Sequence, residues 1–319
     1  MNALERAAIY GIMPVINIPS PDLAVPLADA LEAGGLPQIE VTLRNDTALD
    51  SIRAIKAERP GFTAGAGTVL SVEQAQAAID AGADFIVTPG YNPRVVEFCI
   101  GKGVPILPGC VTPAEVEAGM AAGLNTFKFF PSETLGGVKA IKALCGPYKK
   151  VRFVPTFGIT MNNLAEYLAC DGVACVGGSF MAPSALVEAR QFEAITALCK
   201  EAVRRSLGFS LKHVGVNAAT PEEGAAMAKR FSELFDLPYK PGGRSDFSGT
   251  LVEFCKDVFP GAAGHIGVST LNVERAAAWL ERRGVALRDD YRSCDKNGNV
   301  VCIYLAEEFA GFAVHIVKA

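Results

Sequence analysis

NTFKFFPSETLGGVKA, residues 125–140, sets a lysine, Lys128, between Thr126-Phe127 and Phe129-Phe130-Pro131, in a run otherwise suited to a buried strand. In a parallel barrel, alternate side chains of each strand face the interior, and groups at the strands' C-terminal ends build the active site. An ammonium ion is strongly hydrated, so burial favours the free amine, which is a nucleophile toward ketones. The alternative is a lysine that points outward and carries its amine past a helix to water.

Working outward from this run, short apolar stretches alternate with Ala-rich amphipathic ones. The strand candidates are MPVIN (13–17), QIEVTL (38–43), TAGAGTV (63–69), DFIVTP (84–89), VPILPG (104–109), TFKFFP (126–131), RFVPTFG (152–158) and VACVGG (173–178). Between them lie stretches such as SVEQAQAAIDAGA and TPAEVEAGMAAGL, with apolar residues at helical spacing and a glycine near the C-terminal end. Eight such strands in a row predict an α/β fold closed as a (β/α)8 TIM barrel. Periodicity alone leaves an open, doubly wound sheet available, because it does not report closure. The polar groups at the ends of these strands keep company with Lys128: Glu40 and Arg44 in IEVTLRND, Thr68 in GAGTV, and Thr88-Pro89-Gly90.

The chain has 319 residues, of which 50% are hydrophobic and 20% charged, with a net charge of −4. That supports packed cores in two domains and offers no basic footprint for nucleic acid. No stretch approaches a membrane-spanning length, and the N-terminus MNALERAAIYGIMPVINIP lacks a basic segment followed by a long apolar run, so the expectation is a cytoplasmic protein without a membrane partner. The nine cysteines form no C-x-x-C pair and are expected to be reduced and mostly buried.

The rhythm changes after QFEAITALCKEAVRRSLG, which places a boundary near Leu207 and predicts domains at 1–206 and 207–319. The second part contains an internal repeat. LKHVGVNAATPEEGAAMAKRFSELFDLPY (211–239) and AGHIGVSTLNVERAAAWLERRGVAL (263–287) both run strand, turn, helix from a His-aliphatic-Gly-Val core. Strand-like material follows each copy, SGTLVEFCKD (248–257) after the first and NVVCIYLAE and GFAVHIVKA (299–307, 311–319) after the second, predicting an α+β domain of paired modules. All three histidines of the chain fall here, and aligning TLVEFCKD with FAVHIVKA sets Glu253 opposite His315. The two modules thus offer His213 with Glu253, and His265 with His315.

The motifs IEVTLR, GAGTVL, TPG, LPG, FKFFPSE, GGVKA, RFVPT and GGS, in this order over residues 5–205, resemble the 2-keto-3-deoxy-6-phosphogluconate (KDPG) and 2-keto-4-hydroxyglutarate (KHG) aldolase family. The resemblance implies a trimeric class I aldolase that needs no metal and acts on a small keto acid. By motif, it makes Lys128 the imine-forming residue and Glu40 the acid/base. It assigns Arg44 and Thr68 to the pyruvyl carboxylate and Pro89 to the same wall. The alternative for Glu40 is a carboxylate paired with Arg44 for stability alone.

The family gathers a phosphate on a PTGG turn and a GGS turn. Here Gly177-Gly178-Ser179 matches the second, whereas the first reads Pro155-Thr156-Phe157-Gly158, with a bulky ring in place of a glycine. A phosphorylated sugar acid and the shorter 4-hydroxy-2-oxoglutarate both stay open as substrates. The Gly-Gly-Ser run also reads as a tight turn without a ligand.

Residues 210–319 resemble the glyoxalase-like, vicinal oxygen chelate family, whose paired βαβββ modules cup a divalent metal. The resemblance implies a ligand set of His213, Glu253, His265 and His315, with His315 replacing the usual carboxylate, and Zn, Ni, Fe, Co or Mn as the ion. The alternative is a module whose histidines only pack. Three functions compete: a Schiff-base aldolase; a metal-dependent lyase, isomerase or dioxygenase centred on the second domain; and a keto-acid binding protein without turnover.

Overall fold

The computed structural model describes residues 1–257, 259–296 and 298–319, which divide into two compact units, Met1–Ser206 and Leu207–Ala319. Unit 1 is a TIM-barrel-like α/β domain. Its strands are β1 (Ile12–Ile16), β2 (Gln38–Thr42), β3 (Thr63–Gly67), β4 (Ile86–Val87), β5 (Ile106–Leu107), β6 (Thr126–Phe129), β7 (Arg152–Pro155) and β8 (Val176–Gly178). A parallel sheet runs β5-β4-β3-β2-β1-β8, and β6 pairs in parallel with β7. Isolated bridges at Gly109–Lys128, Phe153–Val173 and Thr156–Gly177 connect these two sheets at both of their edges.

Every residue of β2 and β3 is buried, as strands covered on both faces require. The helices between strands start where the sequence supplies caps. Thr112 and Glu115 close a capping box on Pro113–Ala121, and Ser71 caps Val72–Asp80 through the Gln74 amide. At the far end from the strand C-termini, the helix Ala3–Tyr10 buries Ala3 and Ala7 against a cluster of Met13, Phe85, Leu107, Val154 and Cys175. Burying a side chain of the size of Phe85 is worth about 1.5–3 kcal/mol. Gly65 makes room for it, since a Cβ there would collide with the Phe85 ring.

Unit 2 is a mostly sheet domain. It reads β9 (Ser210–Asn217), a helix Pro221–Phe235, β10 (Tyr239–Lys240), β11 (Ser245–Ser248) and β12 (Val252–Cys255). The same order then returns: β13 (Gly264–Thr270), a helix Val273–Glu281, β14 (Leu287–Cys294), β15 (Val300–Phe309) and β16 (Phe312–Lys318). All eight strands join in one sheet, β10-β11-β12-β9-β13-β16-β15-β14. The two leading strands meet antiparallel at its centre, and each also pairs in parallel with the last strand of its own half. Among the described residues, no helix is long and apolar enough to cross a membrane.

Candidate functional site

Lys128 on β6 and Glu40 on β2 come from opposite sides of the ring, so they meet only if both side chains point inward. They do: Lys128 Nζ donates to Glu40 Oε1 at 2.9 Å, with Lys128 only 6% and Glu40 only 2% exposed. The outward, snorkelling lysine is thereby excluded. Local sequence seats both groups. Gly67, at the end of β3, lies against the Glu40 carboxylate, and any Cβ there would collide with it. On the other side, the Lys128 amine lies 5.9 Å from the centre of the Phe130 ring.

The other groups singled out in the sequence follow the same strand ends. Arg44 and Thr68 lie just beyond β2 and β3, Pro89 beyond β4, Gly158 beyond β7, and Gly177, Gly178 and Ser179 at the end of β8 and just beyond it. Arg44 is exposed to solvent. Thr68 is half-buried and holds φ of 59°, a left-handed conformation uncommon for a β-branched residue and of the kind that collects at functional sites. The loops after β6, β7 and β8 are stitched into one rim: Ser132 N donates to Thr156 O at 2.9 Å, and Thr156 bridges to Gly177. A Cβ on Gly177 would crowd the Thr156 hydroxyl.

Phe157 sits in this rim with φ of 80° and 56% of its surface exposed, its ring edge-on to Phe130 at 6.0 Å. An L-residue pays about 1–2 kcal/mol for such a conformation. Beneath the following Gly158 runs the Glu133 side chain, which is bonded to the Tyr167 hydroxyl; that hydroxyl also meets Ser132 Oγ at 3.0 Å. Burial and the Glu133 bond push the Tyr167 phenol up to about 12. Ser132 and Glu133 lie in the FPSE motif, whereas Tyr167 carried no signal in the sequence.

In unit 2 the three histidines converge. His213 Nε2 lies 3.1 Å from both His265 Nε2 and His315 Nε2, and Glu253 Oε2 lies 3.3 Å from His265 Nε2 and 3.4 Å from His213 Nε2. Each glycine of the repeated His-aliphatic-Gly core makes space for another strand's imidazole. A Cβ on Gly215 would collide with His265, and one on Gly267 with His213 and His315.

Burial and the neighbouring imidazoles hold His315 down at about 3, and burial lowers His213 as well, so their lone pairs are free near neutrality. The His265 bond and the adjacent imidazoles lower Glu253 against the effect of burial, keeping it ionised. Ligand-to-ligand separations around a cation with bonds of about 2.0–2.2 Å run from about 2.9 to about 3.5 Å, for octahedral to tetrahedral placement. These four separations lie within that span and suit a divalent transition metal at the imidazoles; the three imidazole donors lie within 4.8 Å of one another, whereas Glu253 groups at that range with His265 and Cys255. Cys255 is also near Glu253 and His265, but burial raises its thiol to about 12, which makes it a poor ligand.

An amine able to condense with a ketone, bonded to a carboxylate able to move protons inside a barrel mouth, is the equipment of a class I aldolase. Known proteins agree. The KDPG and KHG aldolase family pattern matches residues 4–198. The 2-dehydro-3-deoxy-phosphogluconate aldolase of Treponema pallidum is 48% identical over 202 residues, covering 63% of this chain and 95% of that protein. The KHG/KDPG aldolase of Escherichia coli K12 is 45% identical over 192 residues, 60% of this chain and 90% of its own. The crystal structure of KDPG aldolase from Legionella pneumophila, with pyruvate captured as a covalent carbinolamine, superposes with a TM-score of 0.62 at 36% identity, over 63% of this chain and 98% of that one. The chain belongs to the KDPG and KHG aldolase family, and it is an aldehyde-lyase of the Schiff-base class. Unit 2 lies beyond the family match.

Proposed function

We propose that Lys128 and Glu40 together perform the aldol cleavage of a 4-hydroxy-2-oxo acid to pyruvate and an aldehyde. The observation that carries this is their buried contact at 2.9 Å. Transfer of the amine's proton to the carboxylate leaves a nucleophile next to an acid. The Lys128 nitrogen adds to the C2 ketone, and Glu40 returns a proton so that the carbinolamine loses water and becomes an iminium ion. Glu40 then removes the proton of the C4 hydroxyl. The C3–C4 bond breaks, its electron pair flows into the iminium as an enamine, and C4 leaves as the aldehyde carbonyl. Protonation at C3 and hydrolysis release pyruvate and free Lys128. The iminium is the electron sink, so this step needs no metal. Arg44 and Thr68 would hold the carboxylate at C1, with Pro89 closing the same wall.

The rim formed by Gly158, Gly177, Gly178 and Ser179 would receive the distal end of the substrate. Gly177-Gly178-Ser179 presents backbone amides suited to an anion, but Phe157 occupies the facing turn and favours the shorter, unphosphorylated 4-hydroxy-2-oxoglutarate. Both it and 2-keto-3-deoxy-6-phosphogluconate are assayed side by side for pyruvate release. Phe157→Gly, which accepts a φ of 80° without strain, is expected to raise kcat/KM for the phosphorylated substrate relative to the short one by about tenfold. An unchanged ratio removes Phe157 from substrate selection.

A second reading is favoured by the convergence of four donor groups in unit 2. We propose that this unit is a vicinal oxygen chelate domain, with His213, Glu253, His265 and His315 holding Zn, Ni, Fe, Co or Mn. A bound ion would supply a Lewis-acid centre there. Zinc-loaded protein, desalted and measured by plasma mass spectrometry, is expected to retain about one ion per chain, and His213→Ala/His265→Ala to retain less than about a tenth of that. Equal, low metal content in both would leave the histidines a packing role.

A further inference from the structure

The loop after β6 and the turn after β7 are joined by a polar group that the chemistry above leaves unused. Ser132 N donates to Thr156 O at 2.9 Å and Glu133 N to Phe157 O at 3.4 Å, so the two segments stay bonded beyond the ends of their strands. The Glu133 side chain then passes beneath Gly158, where a Cβ would stand 2.4 Å from Glu133 Cγ. Its carboxylate ends at the hydroxyl of Tyr167, on the helix Leu164–Leu168. Tyr167 is 1% exposed, and its phenol, pushed up to about 12, stays protonated and donates to the carboxylate. The Ser132 hydroxyl, 3.0 Å away, must then donate to the phenol oxygen. Gly137 closes the group from another side: a Cβ there would lie 2.8 Å from the phenol oxygen and 3.0 Å from Glu133 Oε1. The same short helix reaches the turn a second time, since Asn163 at its start donates from Nδ2 to Gly158 O at 3.0 Å.

A phenylalanine would fill the same packing space without a polar atom to desolvate, so packing does not account for the hydroxyl. What the hydroxyl does is fix Glu133 and Ser132, and these two hold the turn. We propose that Tyr167 is a positioning residue for the aldolase: acting through Glu133 and Ser132, it keeps the turn Thr156–Gly158 in place to meet the distal end of a 4-hydroxy-2-oxo acid. The inference rests on the proposed role of this rim. Lys128 and Glu40 stand on β6 and β2 themselves and bond to each other, so the imine-forming end is anchored separately. A loosened turn therefore weakens the hold on the substrate beyond C4 and spares the addition of the amine to a ketone. Contacts that act alike on the bound substrate and on the transition state set KM and leave kcat unchanged.

Tyr167→Phe keeps the ring and removes the hydroxyl. In the full chain it is expected to raise KM for 4-hydroxy-2-oxoglutarate and for 2-keto-3-deoxy-6-phosphogluconate by about tenfold, with kcat within about threefold of the parent. Borohydride trapping of pyruvate, which has no distal end, should proceed at the parent's rate. Glu133→Ala should reproduce the KM of Tyr167→Phe, and the double variant should be no worse than either, because the two residues act in series. Glu133→Gln, whose amide oxygen still accepts from the phenol, should recover KM to within about threefold of the parent. An unchanged KM in Tyr167→Phe, KM effects of Tyr167→Phe and Glu133→Ala that multiply in the double variant, or pyruvate trapping slowed as much as cleavage would each overturn the proposal while leaving the Schiff-base chemistry standing. A parent chain that traps pyruvate but cleaves neither substrate would overturn the reading of the rim and this inference with it.

Discussion

Lys128→Ala is expected to lower kcat/KM for aldol cleavage by about 10⁴-fold or more, because it removes the amine that forms the iminium accepting the electrons of the breaking bond. Reduction with borohydride in the presence of pyruvate should convert Lys128 to a stable secondary amine, found by peptide mass spectrometry in the parent chain and absent from the variant. Label on a different lysine, or full turnover in the variant, would refute the assignment. The substitution also leaves Glu40 buried without its partner, and removing one member of a buried ion pair costs about 3–5 kcal/mol. Lys128→Ala/Glu40→Gln should therefore recover part of the lost thermal stability and none of the activity. That divergence separates a chemical loss from an unfolding one.

The barrel was legible because its strands are nearly continuous apolar runs, each followed by a helical stretch ending at glycine. What periodicity overstated was length. DFIVTP and VPILPG contribute only Ile86–Val87 and Ile106–Leu107 to the ladder. Pro105 and Pro108 have no N–H to donate and bracket Ile106–Leu107, and Pro89 ends the donors after Ile86–Val87. In unit 2, SDFS and LRDDYRSC form β11 and β14 without having been singled out. The first is short and rich in Asp and Ser. The second is a charged, largely exposed edge strand, a composition that discourages pairing with other chains and also erases the alternation that marks a half-buried strand.

The two sites differ in the same way. Lys128 and Glu40 could be paired from motifs 88 residues apart in the chain because a barrel brings strand ends together. The histidine set could be suspected from the repeat, but the reason for its glycines could not. Gly215 and Gly267 are required by imidazoles reaching over from neighbouring strands, a relation that appears only once β9 and β13 lie side by side. The Ser132, Glu133 and Tyr167 cluster was illegible for a similar reason, since Tyr167 stands in the buried face of the short helix Leu164–Leu168, where aromatic packing explains it equally well.

Glu40→Gln isolates the second half of the proposed chemistry. The amide keeps the size of the carboxylate and still offers an oxygen to the Lys128 amine, so the fold and the Gly67 contact should survive. It cannot take up or return a proton. General acid–base catalysis of this kind is worth about 10²–10⁴-fold, and kcat for both candidate substrates is expected to fall by that factor. Borohydride should still trap pyruvate on Lys128, but more slowly, because dehydration of the carbinolamine loses its acid. A purely structural counter-ion behaves differently: its replacement would change thermal stability and leave kcat within about threefold of the parent. Observing that outcome would transfer the proton steps to water or to another group at the mouth, while the imine chemistry of Lys128 would stand.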